Sequence, residues 1–464
     1  MTSVHVCIIT EGTYPITLGG VGLWVHTLIK NMPDIEFTVV ALVPKEKTTP
    51  VLEIPKNVKK IIYVPFPMPE KALKVVPESE IPDEIPMHLI EFHKNISKHK
   101  IIKAGKYLKE LYSFFSEHPI KLWSHKLVWQ FLEKVYSVNK VEEPFFQWLV
   151  HWKNAHAPLL TILSTKIPKA DLYHATNAGY AGLVATLAKL IYSKPAMITD
   201  HGIYIREIRS RVSQSSMSPV EKRFWIKTSV SINILNYMLV DKITTVCKYN
   251  KKWVIENVGV PADKIEVIYN GVDINYFRPL LIPRDPNLVG TVARVYGLKD
   301  IKNFIKAAKH VVNRVPDAKF VVVGSIADPS YWEECNRLVH LLKLEDKFQF
   351  VGRSTNPVFW YNSLSLFVLS SASEGFPLST IEAMACGTPA IVTNVGGAGE
   401  AVGSCGFVVE PYNPKALGEK ITWCLTHNEE LEKLRQCARE RAVKMFSLEK
   451  VVQKFKRVYI NLVS

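Results

Sequence analysis

The chain predicts two Rossmann-like α/β domains facing each other across a cleft, with a helical insertion in the first. Three observations carry this. A buried apolar strand, a Gly-containing loop and an amphipathic helix open the chain, and the same pattern restarts near residue 288. At 464 residues the chain exceeds one ordinary domain. Between Pro65 and Pro168 the strand–helix rhythm gives way to a helical, aromatic-rich run.

In order, the first half reads as a strand over 4–9, a loop over 11–20, a helix over 21–31 and a strand over 37–42. Further strands are predicted over 171–174, 196–199, 242–246 and 264–268, with helices between them. Pro279, Pro283 and Pro286 punctuate the join to the second half, as an interdomain linker would. There a strand over 288–293, a helix over 301–312 and a strand over 319–323 lead through another helix and strand into residues 365–400. We place the domains at 1–280 and 281–446, with a final helical segment at 447–464 and the insertion at about 66–168.

The composition is that of a soluble globular protein, 47% hydrophobic and 22% charged. No apolar run is long enough to span a bilayer. The apolar run 4–9 is too short and lacks the basic leader of a signal peptide. The seven cysteines are scattered, partly inside apolar segments, and show no metal spacing. This predicts a reducing cytoplasm and argues against a disulfide frame or structural zinc. The net charge of +15 favours anionic partners: nucleotide phosphates, acidic polymers or the inner face of an anionic membrane. No recognised nucleic-acid motif accompanies it, and we expect no nucleic-acid partner. Within the insertion, residues 93–109 carry six Lys and no acid before Glu110, near Trp123, Trp129, Trp148 and Trp152. An ordinary helical core explains the aromatics best, and a basic, aromatic surface for acceptor or membrane is the alternative.

The most informative stretch runs SLFVLSSASEGFPLSTIEAMACGTPAIVTNVGGAGE over 365–400. An apolar strand ends in small residues, then Glu374 and Glu382 follow with seven residues between them. Glu382 is read as opening a short helix that stops at Cys386–Gly387, and the strand 390–392 leads into Gly396, Gly397 and Gly399. Open α/β sheets bind ligands at this carboxyl edge. Two carboxylates accept hydrogen bonds from several hydroxyls, and a Gly-rich loop offers N–H groups to phosphate. A nucleotide sugar carries both chemistries.

With the helix, G-T-P and GG loop, the E-x7-E block resembles the retaining glycosyltransferases of family 4, which have the GT-B fold. The likeness extends over nearly the whole chain. EGTYPITLGGVGLWVH (11–26), ATNAGYAGLVATLAK (175–189), DHGIYIRE (200–207) and IYNGVD (268–273) are most similar to the PelF-like subgroup. The resemblance implies a C-terminal helix that returns to the first domain. It also implies transfer of a hexose, with UDP-glucose as expected donor, to a glycan or lipid-linked acceptor. Peripheral association with an anionic membrane or a membrane synthase complex goes with that reading.

The resemblance also assigns roles. Arg294 and Lys299, in VARVYGLKD, hold the donor diphosphate. Glu382 binds ribose hydroxyls and Glu374 those of the hexose, with Gly375, Phe376, Pro377 and Leu378 as adjoining donor contacts. The Gly396–Glu400 turn adds phosphate or sugar contacts. His201 meets the donor sugar and joins Arg294, Lys299 and Glu374 as a catalytic candidate. Gly19 and Gly20, with Gly22, permit close backbone approach to phosphate or sugar. Glu11, Tyr14 and Arg206 are the acceptor-side candidates. Asp200 stands where the family often has Glu, and Gly397–Glu400 departs from the Ser-Cys-Arg-Glu-like stretch of the subgroup. No cofactor or metal is expected, because fixed cations stabilise the leaving phosphate. A non-catalytic homologue that binds nucleotide sugar or polysaccharide is the competing reading; the four intact polar residues Arg294, Lys299, Glu374 and Glu382 speak against it.

Overall fold

The computed structural model describes residues 4–17, 19–44, 49–67, 74, 76–119, 125–138 and 143–464. The chain divides into two compact units. The first comprises Met1–Thr245, Trp253–Glu266 and Lys456–Ser464, and the second Val246–Lys252 and Val267–Phe455. The main crossing thus falls at Glu266–Val267, and the proline cluster at 279–286 lies inside the second unit.

The first unit runs β1 (His5–Glu11), α1 (Gly20–Lys30), β2 (Glu36–Val43), β3 (Val58–Pro65), then the insertion helices α2 (Glu84–Ser97), α3 (Ile101–Phe115), α4 (Lys126–Val138) and α5 (Phe145–Leu163). It continues with β4 (Leu172–Ala175), α6 (Tyr180–Tyr192), β5 (Ala196–Asp200), α7 (Tyr204–Ser213), α8 (Pro219–Leu239), β6 (Lys242–Thr245), α9 (Lys248–Val258), whose residues up to Lys252 group with the second unit, and β7 (Ile265–Val267). Its seven strands are ordered β3-β2-β1-β4-β5-β6-β7. β1, β2, β4 and β5 are buried on both faces, and β1 and β2 read as largely apolar runs. The edge strand β3 has no counterpart in the sequence reading. Its exposed Lys59 and Lys60 break the apolar run, as edges do.

The insertion is helical, as expected. Trp148 and Trp152 are core residues, only 2% and 6% exposed, whereas Trp129 is exposed at 38%; Trp123 lies outside the described residues. Lys98, Lys100, Lys103 and Lys106 are exposed at the start and along one face of α3, while Ile101, Ala104 and Leu108 are buried.

The second unit runs β8 (Leu288–Val292), α10 (Ile301–Val312), β9 (Lys319–Val323), α11 (Pro329–Leu341), β10 (Phe348–Gly352), α12 (Pro357–Ser363), β11 (Leu366–Leu369), α13 (Leu378–Ala385), β12 (Ala390–Thr393), α14 (Ala398–Val402), β13 (Gly406–Val409), α15 (Pro414–Thr426) and α16 (Asn428–Phe446). Its sheet is ordered β10-β9-β8-β11-β12-β13, all parallel. Several helices start by one device. Asp328, Asn356 and Asn413 cap α11, α12 and α15 with their side chains, and each precedes a proline at the first helical position. The cap oxygen satisfies an orphan N–H, and proline lacks the N–H that would have none.

The last helix, α17 (Leu448–Val463), begins in the second unit, and its residues from Lys456 onward group with the first. Within the first unit, Tyr459 Oη and His174 Nδ1 are 2.6 Å apart, His174 Nε2 lies 2.6 Å from Thr199 Oγ1, and Thr199 reaches Thr244 at 2.7 Å. This buried chain ties α17 to β4, β5 and β6. Burial pushes His174 down to about 3, so its imidazole is neutral there.

The cysteine reading needs one correction. Cys405 and Cys437 form a disulfide, with Cα atoms 5.2 Å apart. They are separated by 32 residues and meet because α16 returns beside the turn before β13. Spacing along the chain carried no trace of that proximity. Cys7, Cys247, Cys335, Cys386 and Cys424 are buried and lie outside that disulfide. Among the described residues, no helix is long and apolar enough to cross a membrane.

Candidate functional site

Strand order reverses direction at β1/β4 in the first sheet and at β8/β11 in the second. The crevice at the carboxyl ends of such strands is where doubly wound sheets bind ligands. In the second unit, Arg294 follows β8 by two residues, while Ser370, Ser371 and Glu374 follow β11. The elements on either side are pinned together. A 3-10 turn at Gly297–Lys299 is held when Leu298 O accepts the Ala372 N–H at 2.8 Å and Lys299 O accepts the Ser370 hydroxyl at 2.9 Å.

These bonds deliver Lys299 to Glu374. Lys299 Nζ donates to Glu374 Oε1 at 2.6 Å, and the Ser371 hydroxyl donates to the same oxygen at 2.6 Å. Both side chains are largely shielded, 18% and 12% exposed, so the charge pair is only weakly screened. Arg294 is exposed, its guanidinium 5.2 Å from the centroid of the Tyr296 ring. Asp300, next to Lys299, caps α10 through its side chain in a left-handed conformation. An ammonium held against a carboxylate, with a guanidinium on the neighbouring strand end, can meet both the phosphates and the hydroxyls of a nucleotide sugar.

Glu382 differs from the sequence expectation. It does not open the helix. α13 starts at Leu378, and Glu382 sits in its second turn. The Tyr361 hydroxyl donates to Glu382 Oε2 at 2.6 Å. Burial raises the Glu382 pKa above the ordinary carboxylate value, and the Tyr361 bond opposes that shift. Tyr361 and Ser371 are the partners that sequence reasoning missed. The small residues after β11 were a visible signal for Ser371; nothing local marked Tyr361.

The glycine loop also has a packing use. Gly396 has φ +53°, and a Cβ there would lie 1.9 Å from Glu374 O. At Gly397 a Cβ would lie 2.6 Å from Cys247 Cβ, and its N–H donates to Gly375 O at 2.8 Å. The loop therefore packs against the Glu374 loop, and the Gly397 and Ala398 N–H groups already have backbone acceptors. The Glu400 carboxylate is occupied as well. It accepts the N–H groups of Lys248 and Tyr249, each at 2.9 Å, and the Tyr269 hydroxyl at 3.1 Å, so it caps α9. Of the neighbouring donor candidates, Phe376 is a core residue tilted against Tyr269 and edge-on to Phe446, Pro377 is buried, and Gly375 and Leu378 are half-buried.

In the first unit, Gly19 and Gly20 lead into α1, and a Cβ on either would meet nothing closer than 3.8 Å. That leaves the backbone approachable. Gly22 serves packing instead, because a Cβ would lie 2.6 Å from Thr17 O. Glu11, at the end of β1, accepts the Tyr180 and Ala181 N–H groups at 3.1 and 3.4 Å and the Tyr204 hydroxyl at 3.0 Å. It thereby caps α6, and burial raises its pKa. Tyr14 is interior, 1% exposed, with an enclosed hydroxyl pushed up to about 12 by burial. Arg206 is exposed on α7. His201 follows β5, its ring edge-on to Trp24 with centroids 4.4 Å apart. Its Nε2 is buried without a hydrogen-bond partner among the described residues, and burial lowers its pKa to about 4. It is a neutral imidazole at pH 7, able to exchange one hydrogen bond but not to act as a charged acid. Asp200, its neighbour, accepts the Tyr237 hydroxyl, and burial raises it to about 8. Among the described residues, no group of three or more His, Cys, Asp or Glu side chains could hold a metal ion.

Two parallel six- and seven-stranded sheets, each with a polar cluster at its switch point, define a protein of the GT-B class. The solved structures agree on the fold. The Anabaena Alr3699/HepE protein, crystallised with UDP-glucose, superposes with a TM-score of 0.63 at 18% identity, covering 98% of this chain and 99% of that one. A family model described as a domain of unknown function (DUF3492) matches residues 4–262, and one described as Glycosyl transferases group 1 matches residues 272–441. The uncharacterized glycosyltransferase MJ1178 of Methanocaldococcus jannaschii is 30% identical over 296 residues, 63% of this chain and 76% of that protein. The capsular polysaccharide biosynthesis glycosyltransferase CapM of Staphylococcus aureus is 26% identical over 287 residues, 60% of this chain and 74% of that protein. The chain belongs to the GT-B glycosyltransferase superfamily.

Proposed function

We propose that this protein is a retaining hexosyltransferase of family 4, PelF-like in subgroup, which uses UDP-glucose to extend a glycan or lipid-linked acceptor. The observation that carries the reading is the Lys299–Glu374–Ser371 cluster beside the β8/β11 switch point. In this reading Arg294 and Lys299 stabilise the diphosphate as the bond from anomeric carbon to phosphate oxygen breaks. The leaving phosphate takes the acceptor hydroxyl proton as the new glycosidic bond forms on the same face of the sugar. Glu374 orients the hexose hydroxyls and Glu382 the ribose. A neutral His201 suits a hydrogen bond to the transferring sugar. In this reading Arg294 and Lys299 take the place of a metal, so chelation by EDTA should leave turnover unchanged. The UDP-glucose complex of the Anabaena protein supports the donor, and the polysaccharide role in the CapM name supports the acceptor class.

The test is release of nucleoside diphosphate from UDP-, GDP- and ADP-sugars, with and without acceptor. UDP-glucose should be the preferred donor, and the product anomer should keep the α configuration by NMR. A clear preference for GDP-sugars would overturn the donor, and inversion would overturn the mechanism. Binding without release from any donor would favour a non-catalytic homologue.

A further inference from the structure

A cavity of about 320 Å³ opens between the insertion helices α2, α4 and α5 and the later helix α8, and none of the candidate donor-site residues lines it. Its size falls at the lower end of small-molecule sites, which span roughly 300–1,000 Å³. The deepest lining residues, Phe92, Trp152, Leu159 and Ile232, are 1–6% exposed and wholly apolar or aromatic. Two histidines form part of the wall. His93 and His156 have ring centroids 4.9 Å apart, and His156 Nδ1 lies 2.6 Å from Trp152 O. His93 Nε2 is buried with no hydrogen-bond partner among the described residues. The exposed mouth is basic. Lys94 pairs with Glu91 at 2.8 Å, whereas Lys227 makes no ion pair among the described residues.

This gradient, from apolar floor through one unsatisfied imidazole nitrogen to a basic mouth, selects its ligand. Ser97, Thr228 and Ser231 add hydroxyls to the wall, but a sugar lying on the apolar floor of Phe92, Leu159 and Ile232 would leave hydroxyls unpaired there. A plain hydrocarbon would leave His93 unsatisfied and Lys227 without a counter-ion. We propose that the cavity binds a single-chain anionic amphiphile of the alkyl or isoprenyl phosphate class. The chain lies on the Trp152 floor, an oxygen at its head hydrogen-bonds His93, and the anion faces Lys227. Burial holds both histidines well below their ordinary pKa, His156 at about 4, so the wall carries no charge at neutral pH. An uncharged wall suits a chain. The inference is independent of the transferase reading, since its probes carry neither sugar nor nucleotide.

The experiment titrates the full chain calorimetrically with decyl phosphate, below its micellar concentration, and with butyl phosphate and inorganic phosphate. Decyl phosphate should bind one per chain, and the two short probes at least about tenfold more weakly. Ser231→Trp and Thr228→Trp, which fill the cavity from α8, should each weaken decyl phosphate by about tenfold or more. Lys227→Glu should weaken it most at low salt, where charge attraction is least screened. Equal affinity for inorganic phosphate and decyl phosphate would overturn the proposal, as would unchanged affinity in a folded cavity-filling variant. Lys227→Glu alters only an exposed side chain and keeps the question decidable if both tryptophan variants misfold; unchanged low-salt affinity there counts against the site.

Discussion

Lys299 Nζ and Glu374 Oε1 stand 2.6 Å apart, although 75 residues separate them, because Ser370 and Ala372 clamp the loop after β11 onto the turn before α10. The pair makes each group the reference for the other. A phosphate that approaches Lys299 competes with Glu374, and the carboxylate released from the ammonium is free to accept from hydroxyls. Binding the two halves of a nucleotide sugar is thereby coupled.

From that coupling, Lys299→Ala and Arg294→Ala should each lower turnover about 10²-fold or more, the scale of removing a group that meets developing charge. Stability should change less for Arg294→Ala, whose side chain is exposed, than for Lys299→Ala, which strands Glu374. Steady-state rates and denaturant midpoints check both. Near-wild-type turnover in the two variants would remove the diphosphate assignment.

The proposed roles, ribose for Glu382 and hexose for Glu374, predict separable losses. Glu382→Ala should weaken UDP binding by about 10–100-fold, the equivalent of about 1.5–3 kcal/mol for a hydrogen bond to a charged group. Tyr361→Phe should have a smaller effect in the same direction, because Tyr361 only orients Glu382. Glu374→Ala should leave UDP affinity nearly intact and reduce sugar-dependent turnover. Calorimetry with UDP separates the cases, and equal losses in Glu374→Ala and Glu382→Ala would contradict the division.

Glu400→Ala should destabilise the protein by about 0.5–2 kcal/mol, the usual cost of a lost helix cap, and leave UDP affinity unchanged. The expected signature is a lower denaturant midpoint with an unaltered binding isotherm. A large loss of UDP affinity in a stable variant would return Glu400 to the donor site.

The sheet strands were legible because parallel strands buried on both faces spell continuous apolar runs, as in β1, β2, β11 and β12. The placement of Arg294 and Glu374 just past β8 and β11 was legible because each follows an apolar strand at the carboxyl edge of the sheet. What failed to show depends on distance through space. Glu400 caps a helix about 150 residues upstream, Cys405 finds Cys437 across a helical return, and Tyr361 reaches Glu382 from another helix. β3 was hidden by the lysines that keep its edge soluble. The packing of Gly396 against Glu374 was hidden because a packing glycine and one that contacts phosphate or sugar look alike in one sequence.

Acid should unmask His201. Its folded pKa, about 4, lies below the ordinary imidazole value, so the native state binds fewer protons than the unfolded chain between pH 6.5 and about 4. Stability from this group is present above pH 6.5 and is lost as pH falls through that window, by at most about 1.4 kcal/mol per pH unit. His174, lowered to about 3, adds in the same sense. Asp200 acts oppositely: raised to about 8, it contributes stability at low pH that is lost as pH rises toward 8. His201→Gln should therefore flatten the acid limb of a stability-versus-pH curve, and Asp200→Asn should flatten the limb between pH 4 and 8. An acid limb of unchanged slope in His201→Gln would show that the imidazole is not held neutral.

Gly396→Ala tests the loop on which Glu374 depends. The residue has φ +53°, which costs an L side chain about 1–2 kcal/mol, and its Cβ would lie 1.9 Å from Glu374 O. That oxygen belongs to backbone, so the Glu374 loop itself must give way, adding about 1–3 kcal/mol of overpacking strain. The displaced loop should pull Glu374 away from Lys299 and Ser371. Turnover should fall with the hexose contacts while UDP still binds through Glu382, which sits on α13. The decisive comparison is between Gly396→Ala and Glu374→Ala. Matching losses in turnover, with Gly396→Ala also less stable, would show that the glycine acts by positioning the acid, whereas full activity in a destabilised Gly396→Ala would show that Glu374 keeps its place without it.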